Sequence, residues 1–352
     1  MSNWIEYLAA HGARFQVDEA SQVEDFGRIL GPAELAGGFV AAVTDLGLIG
    51  ISGDDAASFL HNQLTNDVEH LGPDEARLAG YCTPKGRLQA TFLMWRDAQS
   101  IYLQLPRQIQ PPLQKRLGMF VLRSKAKLRD ASLDPEREVV LGLGGAGAEA
   151  ALRQQIGTLP DAPWGKVEHA RGTVIRMTDA FGAPRYLWLT SFDNATAALP
   201  QLTTTLALGG SEAWSLAGIH AGVPQVTLKT QEQFVPQMVN FELLGGVNFK
   251  KGCYPGQEIV ARSQYLGKLK RRTALATVDN AAVRAGDEVF STADPQQPAG
   301  MVVNAARNGA GGADVLVELK LGALDEDVRH ASAGGAQLKF LPLPYPLDAI
   351  DV

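Results

Sequence analysis

Cysteine is almost missing: the 352 residues hold two, Cys82 and Cys253. Two thiols cannot build a disulfide framework, and a structural metal site wants three or four ligands at short spacing. Neither CxxC nor HxxxH occurs, and His11, His61, His70, His169, His220 and His330 are scattered. The chain is therefore not expected to hold a zinc or iron–sulfur centre with its own side chains. Long apolar runs are missing too; no stretch approaches the roughly 18 residues of a membrane span. The N-terminus, Met-Ser-Asn-Trp-Ile-Glu-Tyr, lacks a basic region followed by an apolar run, which argues against a secretory signal. A reducing cytoplasm is the expected compartment, with no membrane partner. A large excess of positive charge is absent as well. The net charge of −6 excludes wholesale coating by nucleic acid and leaves room for a local basic patch.

What is present reads as two or three soluble domains. Two consecutive stretches show the same order of elements. In the first, residues 44–132, a strand at 46–51 precedes a helix capped by Gly53-Asp54-Asp55. That helix carries Ala57, Phe59, Leu60 and Leu64 at helical spacing. Strands at 76–81 and 88–95 flank the turn Thr83-Pro84-Lys85-Gly86. A strand at 101–105, a helix at 111–120 and a strand at 126–128 follow. The second stretch, 138–215, places strands at 139–141, 167–169, 173–177 and 185–189, with helices at 148–156 and 196–206. Both approximate βαββαβ. From 268 onward, short strands at 273–278, 288–290, 300–303, 315–319 and 337–340 between polar or glycine turns predict a small β-barrel. Leu341-Pro342-Leu343-Pro344-Tyr345-Pro346 is too proline-rich for an interior strand and reads as a terminal strap. The expected fold is α+β: two ferredoxin-like modules, residues 1–135 and 136–264, then a C-terminal β-barrel at 265–352.

The most informative segment is Lys250-Lys251-Gly252-Cys253-Tyr254-Pro255-Gly256-Gln257-Glu258. It sets a cysteine beside two lysines, between two glycines, ahead of a short helix. Ammonium groups and the free N–H groups of a helix start both stabilise a thiolate. A buried, inert cysteine beside a tight turn is the plainer alternative; the lysines and glycines together favour a functional thiol. Gly142-Leu143-Gly144-Gly145-Ala146-Gly147 fits the dinucleotide-binding GxGxxG, but the elements after it look antiparallel, so a glycine–alanine turn is the better reading. Basic residues cluster twice. Arg107, Lys115, Arg116, Arg123, Lys125, Lys127 and Arg129 span a stretch without any acid; Arg262, Lys268, Lys270, Arg271 and Arg272 follow the cysteine motif. Each cluster is either a solvated face or a site for an anionic ligand or RNA. Trp214, Phe234 and Tyr254 are core residues or, near a cleft, stacking surfaces for a flat ring.

Lys251 to Glu258 resembles the signature of the YgfZ family, folate-binding relatives of the glycine-cleavage T-protein (aminomethyltransferase). Gln63-Leu64-Thr65-Asn66-Asp67, the stretch from Ala217 to Pro224, Gln233-Phe234-Val235-Pro236-Gln237, Asn240-Phe241 and the terminal strap resemble further family segments. The resemblance runs from about residue 38 to about residue 346. It implies two T-protein-like domains and a β-barrel around a central cleft that holds tetrahydrofolate or a derivative. The cysteine segment is expected to pack back on that cleft. It also implies support of iron–sulfur cluster synthesis or repair, and thereby of tRNA modification, with iron–sulfur client or assembly proteins as partners. Lys251 and Cys253 match the family's essential pair. Trp214, His220, Tyr254, Gln257, Glu258 and Arg262 are the residues expected against the folate. A folate-dependent aminomethyltransferase and a non-enzymatic tRNA-binding module are the alternatives.

Two departures bear on chemistry. T-proteins carry an aspartate after the hairpin where this chain has Ala90 and Thr91, and neither can take a proton as a carboxylate does. His220 stands where the family usually carries glutamate, and a neutral imidazole offers one acceptor in place of two.

Overall fold

A computed structural model describes residues 3–16, 21–266 and 269–347. The strand Leu88–Arg96 shows how its sequence dictates burial. Ala90, Phe92 and Met94 point to one face and pack with Phe59, Leu60, Leu113 and Leu117 from the helices Ala56–His61 and Gln110–Val121. Leu93 and Trp95 point to the other face and enter a different core. Successive side chains of a strand alternate between faces, so a run apolar at both parities belongs to a sheet covered on both sides.

The first sheet runs Ala76–Cys82, Leu88–Arg96, Ser100–Pro106, Leu46–Ser52, Lys127–Asp130, with every neighbouring pair antiparallel. The second runs Lys166–His169, Gly172–Ala180, Ala183–Thr190, Val139–Gly144, Phe39–Ala42, Ala207–Gly209. In chain order each module is strand, helix, three strands, helix, strand, one strand more than βαββαβ. The order across the two sheets is the same, with one insertion. Phe39–Ala42 wedges between the module's first and last strands, antiparallel to Val139–Gly144 and parallel to Ala207–Gly209. The expected division at residue 135 is crossed by this pairing. The helix Asn3–Ala10 crosses it as well, burying Trp4 and Leu8 with Val174 and Trp188. Both strands beside Val139–Gly144 are antiparallel to it, so its glycines do not open a dinucleotide turn.

The C-terminal part is a curled six-strand antiparallel half-barrel. Its order is Val328–His330, Glu288–Ser291, Asp294–Arg307, Ala313–Lys320, Arg271–Val278, Leu338–Leu341. An isolated bridge between Arg329 and Gln337 brings its two edges together. Pro298 sits in the long strand Asp294–Arg307 where the register with Glu288–Ser291 shifts, the kind of place a strand tolerates proline. Tyr345, in the terminal strap, donates to the Gly222 carbonyl at 2.8 Å.

The inner faces of all three parts meet in one core. Leu78, Leu93 and Trp95 come from the first sheet, Ile175, Met177 and Leu187 from the second, and Leu275, Val303 and Leu316 from the half-barrel. The helix Ser211–His220 lies among them with Ala213, Trp214, Leu216 and Ala217. Among the described residues no helix is long and apolar enough to cross a membrane.

Candidate functional site

A cavity of about 590 Å³ opens where the three parts converge. Thr91, Leu93 and Gln104 line it from the first sheet, Met177 and Arg185 from the second, Trp214 and Gly218 from the helix Ser211–His220, and Asn304 from the half-barrel. Asn304 pins the loop at its rim, accepting from Gln225 N–H at 2.9 Å and donating to Gln225 C=O at 2.8 Å. Trp214 is 9% exposed. Its ring lies on the bare backbone of Gly142, where a methyl group would come within 2.3 Å of it. The Arg185 guanidinium sits 4.9 Å from the ring centroid. Arg185 is buried, donates through Nε to the Thr178 carbonyl at 3.0 Å, and is pushed down to about 9 by burial. It remains a cation at neutral pH. Lys229 and Arg284 add two further cations to the wall.

These three cations were not among the residues singled out from sequence. The signal for Arg185 was present: Arg185, Leu187 and Leu189 share one strand face, and the two leucines enter the inner core. A charged residue in register with inward apolar positions marks a polar feature of the interior. Lys229 and Arg284 lie in loops and gave no such signal. The expected ligand residues divide. Trp214 stands in the cavity wall, mostly covered by protein. His220, two residues beyond Gly218 and so on another side of the helix, is engaged elsewhere: Nε2 meets Asp314 Oδ2 of the half-barrel at 2.6 Å, beside the Phe181 ring. Burial pushes the Asp314 carboxyl up, but hydrogen bonds from His220 and Asn308 outweigh it and hold the group below the ordinary carboxylate range. Of the two residues after the hairpin, Thr91 faces the cavity, while Ala90 faces the helices.

The cysteine segment forms a second locus, outside the walls of that cavity. Asn248 Oδ1 accepts the N–H groups of Lys250 and Lys251 at 2.9 and 3.1 Å and sets the turn. Lys251 Nζ donates to the carbonyls of His61 and Leu64, the latter at 2.8 Å, and lies 4.9 Å above the buried Tyr254 ring. Burial pushes Lys251 down to about 8, against the opposing pull of Asp67, Glu69 and Cys253. Cys253 is exposed, whereas Cys82 is buried and pushed up to about 12 by burial. The first helical N–H, that of Gln257, donates to the Tyr254 carbonyl rather than to the sulfur. A side chain on Gly252 would come within 3.5 Å of His61 Nε2, and His61 Nδ1 lies 3.2 Å from Asp67 Oδ1. An open thiol thus stands beside Lys251, in a turn whose Gly252 lies against the His61 ring. The sequence pointed to the lysine. His61 and Asp67 come from the helix Ala56–His61 and the loop after it, far away in the chain.

Gln257, Glu258 and Arg262 ride on the helix Gln257–Tyr265; Glu258 and Arg262 are exposed and none of the three lines the central cavity. In the second basic cluster, Arg271 pairs with buried Glu318, and Arg272 with buried Glu242, so neither is free for a ligand. Lys268 lies outside the described residues. Among the described residues no three His, Cys, Asp or Glu side chains stand close enough to hold a metal ion.

No family model matches the chain. The tRNA-modifying protein YgfZ of Edwardsiella ictaluri is 32% identical over 307 residues, covering 85% of this chain and 90% of its own length. The protein of the same name from Pectobacterium carotovorum is 29% identical over 321 residues, covering 90% and 94%. Among solved structures, the glycine cleavage system aminomethyltransferase T of Bartonella henselae aligns with a TM-score of 0.74 over 96% of this chain and 94% of that one. At 16% identity this likeness establishes the fold alone.

Proposed function

The chain belongs to the YgfZ family, and from that membership we propose that it serves tRNA modification and binds a reduced folate, tetrahydrofolate or a derivative, in the central cavity. The observation that carries the folate reading is Arg185 held over Trp214 in a cavity of about 590 Å³. That volume lies within the roughly 300–1,000 Å³ of small-molecule sites. Arg185 and the edge of Trp214 would hold a flat ring, since a guanidinium plane stacks on aromatic systems. Thr91 and Gln104 offer hydrogen-bonding groups beside it. Lys229 and Arg284 would answer the carboxylates of a glutamate tail. Bound there, the folate supplies one-carbon carrier chemistry. Aminomethyl transfer is not part of the proposal: Thr91 offers a hydroxyl, already accepting from Val226 N–H at 3.1 Å, where a carboxylate is required.

The second part of the proposal concerns Cys253. Exposed beside Lys251, it serves contact with iron–sulfur client or assembly proteins, through which tRNA-modifying enzymes are supported. Two experiments test the two parts. Titrating the purified chain with tetrahydrofolate should quench tryptophan fluorescence saturably, with a smaller change in Trp214→Phe and a weaker midpoint in Arg185→Met. No saturable change in the wild type removes the folate reading. In cells lacking the chain, tRNA nucleosides should lose modifications and regain them with the wild type but not with Cys253→Ala. Full recovery with Cys253→Ala would remove the thiol from the account.

A further inference from the structure

The acid-free stretch Arg107 to Arg129 divides in the fold. Arg107 pairs with Asp130, Lys125 with Asp54 and Arg129 with Asp134. Arg116 instead faces an open groove of about 570 Å³, between the helix Gln110–Val121 and the turn Thr83-Pro84-Lys85-Gly86-Arg87. Lys85, Arg87 and Arg116 line this groove, and none of them has a carboxylate within ion-pair distance among the described residues. Arg116 Nε is shielded from solvent and meets no hydrogen-bond partner. Arg87 gives one N–H to the Gln233 carbonyl and keeps its other donors. Glu232, the only acid in the lining, accepts from Gln89 Nε2 at 2.8 Å. Arg87 also feels Glu318, but the hydrogen bonds of Glu318 go to Arg271. Three cations on a hairpin and a helix are left facing solvent together, in a chain of net charge −6.

This groove adjoins the cysteine segment. The hairpin turn touches it directly: a side chain on Gly256 would strike Thr83 C=O at 2.4 Å, and one on Gly86 would meet Ile259 at 2.9 Å. The helix Gln257–Tyr265 then leads away, carrying exposed Arg262 and ending in Tyr265 and Leu266, which are 69% and 82% exposed. Tyr265 stands about 9 Å along the helix from Ile259, at roughly 1.5 Å per residue. Cations lining one groove, with a largely exposed aromatic beyond them whose ring meets Phe249 edge-on at 5.7 Å, suit an unpaired stretch of polynucleotide, with phosphates on the cations and a base on the ring.

We propose that this groove is a direct tRNA-binding site, with Lys85, Arg87 and Arg116 on successive phosphates and Tyr265 under an unstacked base, so that the RNA passes Cys253. The site rests on the tRNA part of the proposed function and adds physical contact with the RNA to it. Fluorescence anisotropy of a labelled tRNA with the purified full chain tests it across a salt series. The wild type should bind at about 50 mM salt, with log affinity falling by about 0.7 per phosphate contact per decade of salt. Lys85→Gln/Arg87→Gln/Arg116→Gln should weaken binding at least tenfold and flatten that slope by about 2. Tyr265→Ala should weaken binding about tenfold and leave the slope unchanged. Arg129→Gln, outside the groove, should bind within twofold of the wild type. Thermal melting establishes that each variant is folded; if the triple variant is not, Lys85→Gln and Arg116→Gln decide singly. No binding by the wild type, or equal binding by the groove variants, overturns the site. A failure of the broader reading looks different: tRNA would bind in the groove while modification levels in cells ignored loss of the chain.

Discussion

Lys251 concentrates the chemistry of the cysteine turn in one side chain. Its ammonium is half-buried over Tyr254 and tied to two backbone carbonyls from the first module. Those carbonyls hold it in place, yet they replace water poorly for a cation, and burial is the largest influence on it. A lysine pushed down to about 8 is half neutral at pH 8, while an ordinary lysine, near 10.4, is well under 1% neutral. Limiting acetic anhydride at pH 8 should therefore acylate Lys251 ahead of exposed lysines such as Lys250, with a rate that titrates near pH 8. Peptide mass spectrometry reads the site occupancy; equal labelling of the two neighbours would show that Lys251 is an ordinary ammonium. The sign for stability follows from the same shift. Between about pH 8 and 10.5 the unfolded chain binds more protons at this residue, so its contribution to stability rises with pH across that window.

At the scale of elements, two glycines decide how helices meet the frame. Gly142 lets the helix Ser211–His220 lay Trp214 directly on the strand Val139–Gly144. Gly142→Ala would place a methyl group within 2.3 Å of the indole, with backbone on one side and helix on the other. Overpacking of this kind costs about 1–3 kcal/mol. The expected outcome is a loss of stability in that range on urea denaturation, with a shifted Trp214 emission; a variant as stable as the wild type would mean the helix moves aside freely. Gly256 plays the corresponding part for the helix Gln257–Tyr265. At φ +83 it turns the chain where other residues are strained, and its bare Cα lets the cysteine turn sit against the Thr83 carbonyl. The signature's glycine is thus accounted for by the close approach of two loops, separately from any role of the thiol.

At the scale of the molecule, the parts are joined by buried charge as well as by apolar contact. Arg272 in the half-barrel strand Arg271–Val278 pairs with Glu242 in the loop preceding the cysteine segment, both under 5% exposed. Arg272 also donates to the Gln237 carbonyl at 2.8 Å. Burial pushes the Glu242 carboxyl up against the attraction of Arg272, the mark of a charge whose desolvation is only partly offset. Glu242→Leu alone leaves a buried guanidinium without its partner and should cost about 3–5 kcal/mol. Glu242→Leu/Arg272→Met should recover most of that in the same denaturation experiment. If the double variant is no more stable than the single one, the pair acts through something other than paired charge.

The sequence by itself determined the strands and helices of the first module and all but the last strand, Ala207–Gly209, of the second, because period-two alternation such as Ala90, Phe92 and Met94 against Leu93 and Trp95 is a local property of a covered sheet. It also marked the cysteine turn, whose lysines and glycines lie within a few residues of the thiol. Only the tertiary structure decided that Phe39–Ala42 enters the second sheet, since its partner Val139–Gly144 lies far downstream and nothing in four apolar residues names a partner. Likewise, only the fold set Arg185 over Trp214, turned His220 toward Asp314, and separated Arg116 from the paired cations of its own run. The physical reason is common to these cases. Propensity and periodicity act between near neighbours, whereas burial, ion pairing and the walls of a cavity depend on which distant segments share a face.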